Sequence, residues 1–142
     1  MDYFDEDVCV GPSACGLGVF SLRTFRSLDM VGQIDGVIIK DLAYESNYCM
    51  EIGNDWALEP DPPFRFVNHS CHPNCTLVEI EAAAKGGVVE LWLQAVSEIG
   101  PDEELTIDYG WPARVAVRCL CGCADCRGWI VASDELGDVE PA

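Results

Sequence analysis

The segment that most limits how this chain can fold is Arg65-Phe66-Val67-Asn68-His69-Ser70-Cys71-His72-Pro73, followed directly by Asn74 and Cys75. A short apolar run meets a polar cluster and then a Pro-Asn turn signal, so the chain must bend sharply here. The bend gathers hydrogen-bonding groups and a potential thiolate into a few residues. A buried amide and imidazole at such a place need partners. Two downstream segments can be paired with it: Glu104-Leu105-Thr106-Ile107-Asp108-Tyr109-Gly110 and Cys119-Leu120-Cys121-Gly122-Cys123-Ala124-Asp125-Cys126. Together the three propose a cofactor pocket and a metal site.

Around these segments the chain reads as short strands. Gly11–Gly18 is a turn-rich loop leading into a strand at Val19–Arg23. Val31–Ile39 is strand material with a glycine break, and further strands are expected at Tyr44–Ile52 and Asp55–Leu58, before the breaker Pro60-Asp61-Pro62-Pro63. Cys75–Glu81 and Val88–Val96, on either side of Lys85-Gly86-Gly87, read as a hairpin. Leu105–Tyr109 is one more strand. No long amphipathic helix appears, and only Ser21–Asp29 and Ala113–Val117 can hold short helical turns.

With 142 residues the chain suits one domain, and 49% apolar content argues against disorder. Eight basic against 25 acidic residues give a formal charge of −17, which repels phosphates and excludes nucleic acid as a direct partner. A basic protein segment is the natural partner. Acidic tails are expected at 1–7 and 133–142. Residues 1–7 are unlike a signal peptide, and no apolar run reaches the length of a membrane span. The expected location is intracellular, cytoplasmic or nuclear, without membrane contact.

Nine cysteines, an odd number with tight C-x-C spacing, fit a disulfide framework poorly and fit thiols kept reduced. Cys119, Cys121 and Cys126 form C-x-C-x4-C, a spacing that lets thiolates converge on one tetrahedral zinc. Either Cys123 completes the set locally, or Cys71 supplies the fourth thiolate across the fold. Four sulfurs leave no open position, so such a zinc is structural. Cys9, Cys15, Cys49 and Cys75 read singly as buried apolar thiols.

Gly16-Leu17-Gly18 allows close backbone approach to a ligand, and Tyr109 ends an apolar strand beside Gly110. In chain order the motifs are G-x-G, R-F-V-N-H-S-C-x-P-N, E-L-T-I-D-Y-G-W and C-x-C-x4-C-R-G. This ordered set resembles the SET-domain family of S-adenosylmethionine-dependent protein lysine methyltransferases with a post-SET tail, over about residues 8–132. The resemblance implies a mainly β, β-clip fold of several small sheets. Its SET domain would span 8–112, with a threaded C-terminal segment, and its zinc-bound post-SET tail 113–132. Gly16, Leu17 and Gly18 would contact the methionine part of the cofactor. Arg65, Asn68 and His69 would help hold it, and Trp129, Ile130 and Val131 would cover the adenine. Tyr109 would be catalytic and, with Ile107, would line the substrate channel. Cys71 would join Cys119, Cys121 and Cys126 on zinc.

Two departures from the family pattern matter. Ile107 stands where many members carry Tyr or Phe; it cannot hydrogen-bond an amine, so methylation is expected to proceed past the first methyl. Ile34 stands where an aromatic residue is usual, which makes the lysine channel less aromatic; Tyr44 and Tyr48 are candidates to compensate. The expected substrate is a basic, lysine-containing protein, histone-like or ribosomal. A small lone domain can also dimerise to complete a groove. The rival reading is a non-catalytic SET-like peptide-binding module.

Overall fold

The computed structural model describes residues 7–13, 16–40, 50–52, 56–82, 88–109, 113, 116–124 and 126–139. Its strands, in chain order, are β1 (Val8–Ser13), β2 (Gly16–Ser21), β3 (Met30–Ile34), β4 (Gly36–Ile39), β5 (Met50–Ile52) and β6 (Trp56–Pro60). They continue with β7 (Asn68–His69), β8 (Cys75–Ala82), β9 (Val88–Ala95), β10 (Glu104–Ile107), β11 (Val117–Arg118) and β12 (Trp129–Ile130). Four small sheets result, with orders β1-β2-β10-β7, β3-β9-β8, β4-β6-β5 and β11-β12. Among the described residues there is no α-helix, and none is long and apolar enough to cross a membrane.

The core is assembled by period-2 burial. Leu91, Leu93 and Ala95 of β9 face inward, as do Leu105 and Ile107 of β10 and Val19 of β2. Phe25 and Ile99, both fully buried, close the core through a two-way backbone bridge of 2.9 Å in each direction. Fully burying side chains of this size stabilises by roughly 1.5–3 kcal/mol each. The hairpin of β8 and β9 runs in unbroken antiparallel register from Cys75↔Ala95 to Ala82↔Val88. It carries the polar bend at its entrance.

Several sequence expectations shift. Gly11–Gly18 is not a loop: β1 pairs with β2, and Pro12 lies opposite Leu17. Pro12 is tolerated because β1 is an edge strand and its missing N–H has no inner partner to lose. The Val31–Ile39 run breaks at Asp35, and its halves join different sheets. Asp35 instead accepts a 2.8 Å bond from the Asp61 amide. Pro60 ends β6 rather than opening the breaker. Ser21–Asp29 holds bends, the Phe25 bridge and one turn at Ser27–Leu28, closed by the Asp29 amide on the Arg26 carbonyl at 3.0 Å; Leu28 at φ +77° keeps that turn from being helical. Of Ala113–Val117 only Ala113 and 116–117 lie within the described residues, and Val117 opens β11. Tyr44, Tyr48 and the rest of 41–49 lie outside them, and Met50–Ile52 is a strand. The C-terminal acidic stretch contains a 3-10 helix, Ser133–Asp138, whose Glu135 carboxylate accepts a 3.2 Å bond from the Ala113 amide.

Candidate functional site

The polar bend becomes ordered by pairing with β10. Asn68 and His69 form a two-residue parallel ladder with Thr106 and Ile107, and the Ser70 amide donates to the Ile107 carbonyl at 2.9 Å. Asn74 clamps the same strand from its side chain. Its Nδ2 donates to the Glu104 carbonyl at 2.8 Å, and its Oδ1 accepts from the Thr106 amide at 2.9 Å. The bend's backbone and amide groups are thus satisfied by a strand some 30 to 40 positions later. β10 ends at Ile107, two residues short of the expected strand, and Asp108 and Tyr109 leave the ladder.

Tyr109 then turns back on the bend. Its amide donates to His69 Nδ1 at 3.0 Å, and its hydroxyl donates to the Val67 carbonyl at 2.6 Å. The two rings meet edge to face, with centroids 5.4 Å apart. Because Nδ1 accepts, the neutral His69 ring carries its proton on Nε2, which lies 3.4 Å from Cys71 Sγ and donates to it. Burial holds the His69 pKa below the ordinary histidine value; the Asp108 carboxylate opposes this and Arg127 adds to it. Asp108 lies 3.7 Å from Nδ1 but is engaged by Arg127, whose guanidinium donates to it at 2.8 Å.

The sulfurs of Cys71, Cys119, Cys121 and Cys126 all lie within 4.8 Å of one another. Cys71 and Cys119 are 3.8 Å apart, the edge of a tetrahedron with zinc–sulfur bonds of about 2.3 Å. Backbone amides point at these sulfurs, among them Arg127 at Cys71 (3.3 Å), Cys121 at Cys119 and Gly128 at Cys126 (both 3.4 Å). Such donors favour thiolates. Burial alone would push the Cys121 thiol up. Hydrogen bonds from the backbones of Cys71 and Cys123 and from neighbouring thiols outweigh it and bring Cys121 down to about 6. Cys123 sits 3.4 Å from Cys121 but outside the four-sulfur group. The geometry thus favours the arrangement that includes Cys71. Cys75, in contrast, is 1% exposed and pushed up to about 12 by burial, an apolar thiol as expected. Cys9 is half-buried, and Cys15 and Cys49 lie outside the described residues.

The two glycines of G-x-G serve different needs. Gly16 has φ +97°, a conformation that favours glycine. Gly18 leaves room for its neighbours: a Cβ there would stand 2.6 Å from Glu104 Oε2, which would have to shift, and 3.2 Å from Asn68 Nδ2. Those two atoms are themselves 2.9 Å apart. Asn68 Nδ2 also reaches the Leu17 carbonyl at 3.0 Å and Ser13 Oγ at 3.1 Å.

A cleft of about 70 Å³ is lined by Asn68, His69, Tyr109, Cys119, Leu120, Cys121 and Ile130. Three expected site residues, Asn68, His69 and Tyr109, therefore converge, with the thiol cluster as a wall. Three others are placed elsewhere. Trp129 does not line the cleft: its ring lies under the Arg118 guanidinium, 4.3 Å away, and its neighbour Ile130 takes the lining position. Arg65 stands on the 3-10 turn Phe64–Phe66, 3.9 Å from Glu59. Ile107 borders a second cleft of about 300 Å³ with Pro73, Cys75, Thr76, Leu77, Val96 and Asp108. Ile34 is buried in the core. Sequence reasoning passed over Glu104, Asn74 and Arg127. Glu104 stands just before the expected strand and Asn74 in the Pro-Asn turn signal, and only the β10 register reveals what they hold. The one sequence signal for Arg127 is its place next to Cys126.

These features define a class: a fold of small β-sheets whose late strand pairs in parallel with a polar bend, beside a four-thiol cluster. The chain belongs to the SET-domain family, whose family model matches residues 16–110. Among curated proteins it is 34% identical over 137 residues to a histone-lysine N-methyltransferase, H3 lysine-4 specific, of Schizosaccharomyces pombe. That match covers 84% of this chain and 15% of the relative. It is 31% identical over 127 residues to the human histone-lysine N-methyltransferase SETD1B, covering 78% of this chain and 6% of that protein. The chain thus spans only a small part of these relatives. Among solved structures it matches KRYPTONITE in complex with mCHH DNA, an H3(1-15) peptide and SAH, with TM-score 0.73 and 26% identity over 87% of this chain and 29% of that one. A second KRYPTONITE complex, with mCHG DNA and SAH, gives TM-score 0.75 and 27% identity over 87% and 28%.

Proposed function

We propose that this domain transfers methyl groups from S-adenosylmethionine to a lysine side chain of a basic protein, of which histones and ribosomal proteins are the natural examples. The observation that carries this reading is the convergence of Asn68, His69 and Tyr109 on one cleft beside the thiol cluster. The names of the relatives and the SAH in both structural neighbours support it.

The residues present suit the cofactor. Gly16 and Gly18 leave Leu17 half exposed at the start of β2, where backbone groups can meet its amino-acid part. Asn68 Oδ1 takes no hydrogen bond from any described residue and is available to a donor. Bound S-adenosylmethionine supplies an electrophilic methyl for in-line displacement by a neutral amine. The chain's own task is alignment and desolvation. The Tyr109 hydroxyl donates its proton to the Val67 carbonyl, so toward a bound methyl group its oxygen would act as an acceptor that orients polarised hydrogens. A desolvated lysine loses its proton more readily, so no acid–base pair is needed. Ile107, expected to border the lysine, offers no hydrogen bond to hold a monomethylated amine. The surface charge of −17 favours approach of a basic segment.

In this reading Cys71, Cys119, Cys121 and Cys126 hold one structural zinc that anchors residues 113–132 to a SET domain at 8–112. The test is incubation with isotopically labelled cofactor and a panel of basic proteins, followed by mass-spectrometric site mapping. Label on lysine, absent with Tyr109→Phe, supports the proposal. Cofactor or peptide binding without transfer would make the domain a binding module instead.

A further inference from the structure

Glu104 belongs to no part of the catalytic scheme above, yet its carboxylate is built into the place where the cofactor's amino-acid end is expected. Its backbone is fixed from two sides: β2 pairs with it at Phe20, and the Asn74 amide holds its carbonyl. Strand alternation then turns its side chain away from the core, whose inward residues are Leu105 and Ile107. The carboxylate comes to rest 2.9 Å from Asn68 Nδ2. The space it occupies is the space that Gly18 leaves open, since a Cβ there would stand 2.6 Å from it.

The Asn68 amide nitrogen has two hydrogens and three acceptors within 3.1 Å: Glu104 Oε2, the Leu17 carbonyl and Ser13 Oγ. Flipping the amide would set its oxygen against a carboxylate and a carbonyl, both of which only accept. One orientation is therefore enforced, with Nδ2 inward and Oδ1 outward. Oδ1 has no partner among the described residues. A group able to use it must be a donor, and a cationic amine is the strongest such donor.

We infer that Glu104 is a positioning residue for cofactor binding: through Asn68 Nδ2 it aims Asn68 Oδ1 at the ammonium of the cofactor's amino-acid part. This rests on the reading that the domain binds S-adenosylmethionine. The inference makes a distinction that a merely structural role does not. Losing Glu104 should weaken ligands that carry the amino-acid part and spare those that lack it.

The experiment is calorimetric titration of wild type, Glu104→Ala and Glu104→Gln with S-adenosylhomocysteine and with methylthioadenosine, which has the adenosine and sulfur but no amino-acid part. In Glu104→Ala, S-adenosylhomocysteine affinity is expected to fall about tenfold, the loss of one charge-assisted contact. Methylthioadenosine affinity should stay within about twofold. Glu104→Gln can still accept from Asn68 and should recover most of the loss. Should Glu104→Ala fail to fold, Glu104→Thr takes its place, since it suits a strand and cannot reach Asn68. Equal weakening of both ligands would overturn the inference, as would unchanged S-adenosylhomocysteine binding or a Gln variant as weak as Ala. Wild type that binds neither ligand would instead remove the cofactor reading on which the inference stands.

Discussion

Replacing Tyr109 by Phe removes one oxygen atom, and the structure says how large each consequence should be. The hydroxyl donates a 2.6 Å hydrogen bond to the Val67 carbonyl, while the ring keeps its packing on His69. A hydrogen bond of this kind contributes about 1 kcal/mol net. A domain of ordinary stability holds at least about 5 kcal/mol. The variant then retains about 4 kcal/mol, so well over roughly 99% of it stays folded. The melting temperature should fall by about 3–5 °C. Unfolding therefore cannot explain any loss of turnover beyond about twofold. If the hydroxyl orients the reacting groups, turnover under saturating cofactor should fall by about 100-fold or more, as for other preorganised polar groups. S-adenosylhomocysteine affinity should change little. Single-turnover methyl transfer, calorimetric cofactor titration and thermal unfolding on one preparation separate these effects. Turnover within about threefold of wild type would refute the assignment and leave Tyr109 as a packing residue.

Other consequences can be checked separately. Ile107 offers no hydrogen bond, so the wild type should yield di- and trimethylated lysine under excess cofactor, and Ile107→Tyr should shift product toward monomethyl; intact-mass spectrometry showing only monomethyl for wild type would count against this. Metal analysis should find about one zinc per chain in wild type and Cys123→Ser, and a loss in Cys121→Ser; the reverse pattern would favour the local four-cysteine set. His69→Asn keeps an acceptor facing the Tyr109 amide but cannot reach Cys71, so zinc should pass to a chelator about ten times faster. An unchanged release rate would mean that the ring does not tune the thiolate.

Much of the site was legible because its motifs carry unusual chemistry at fixed spacing. C-x-C-x4-C announces converging thiolates, and Asn-His-Ser-Cys is too polar to lie beside Phe66 and Val67 without partners. The β8–β9 hairpin was equally plain from alternation around a glycine turn. What sequence could not supply was register. Thr106↔Asn68 and Ile107↔His69 join segments far apart in the chain, and no local pattern states which residues will meet. The role of Glu104 was therefore not visible, although its carboxylate is what a side chain at Gly18 would have to displace. Of the large residues after Cys126, size alone does not say which faces the cleft: a two-residue strand cannot present adjacent side chains to the same face, and it is Ile130 that lines it. The edge position that admits Pro12 likewise depends on β1 having, among the described residues, a strand partner on one side only.

Cys71 lies two residues from His69, and the ring joins its sulfur to the Tyr109 amide. In the proposed function the bend from Asn68 to Cys71 would serve the cofactor at one end and the metal at the other. The direct test is S-adenosylhomocysteine affinity measured on zinc-loaded and zinc-stripped protein, with circular dichroism to confirm that the β-sheets persist. Coupling through this segment should make the stripped protein bind about tenfold more weakly, and by linkage the ligand should slow zinc loss to a chelator. Equal affinity in the two forms, with the sheets intact, would contradict the account: cofactor and metal would then be neighbours in the fold without depending on each other.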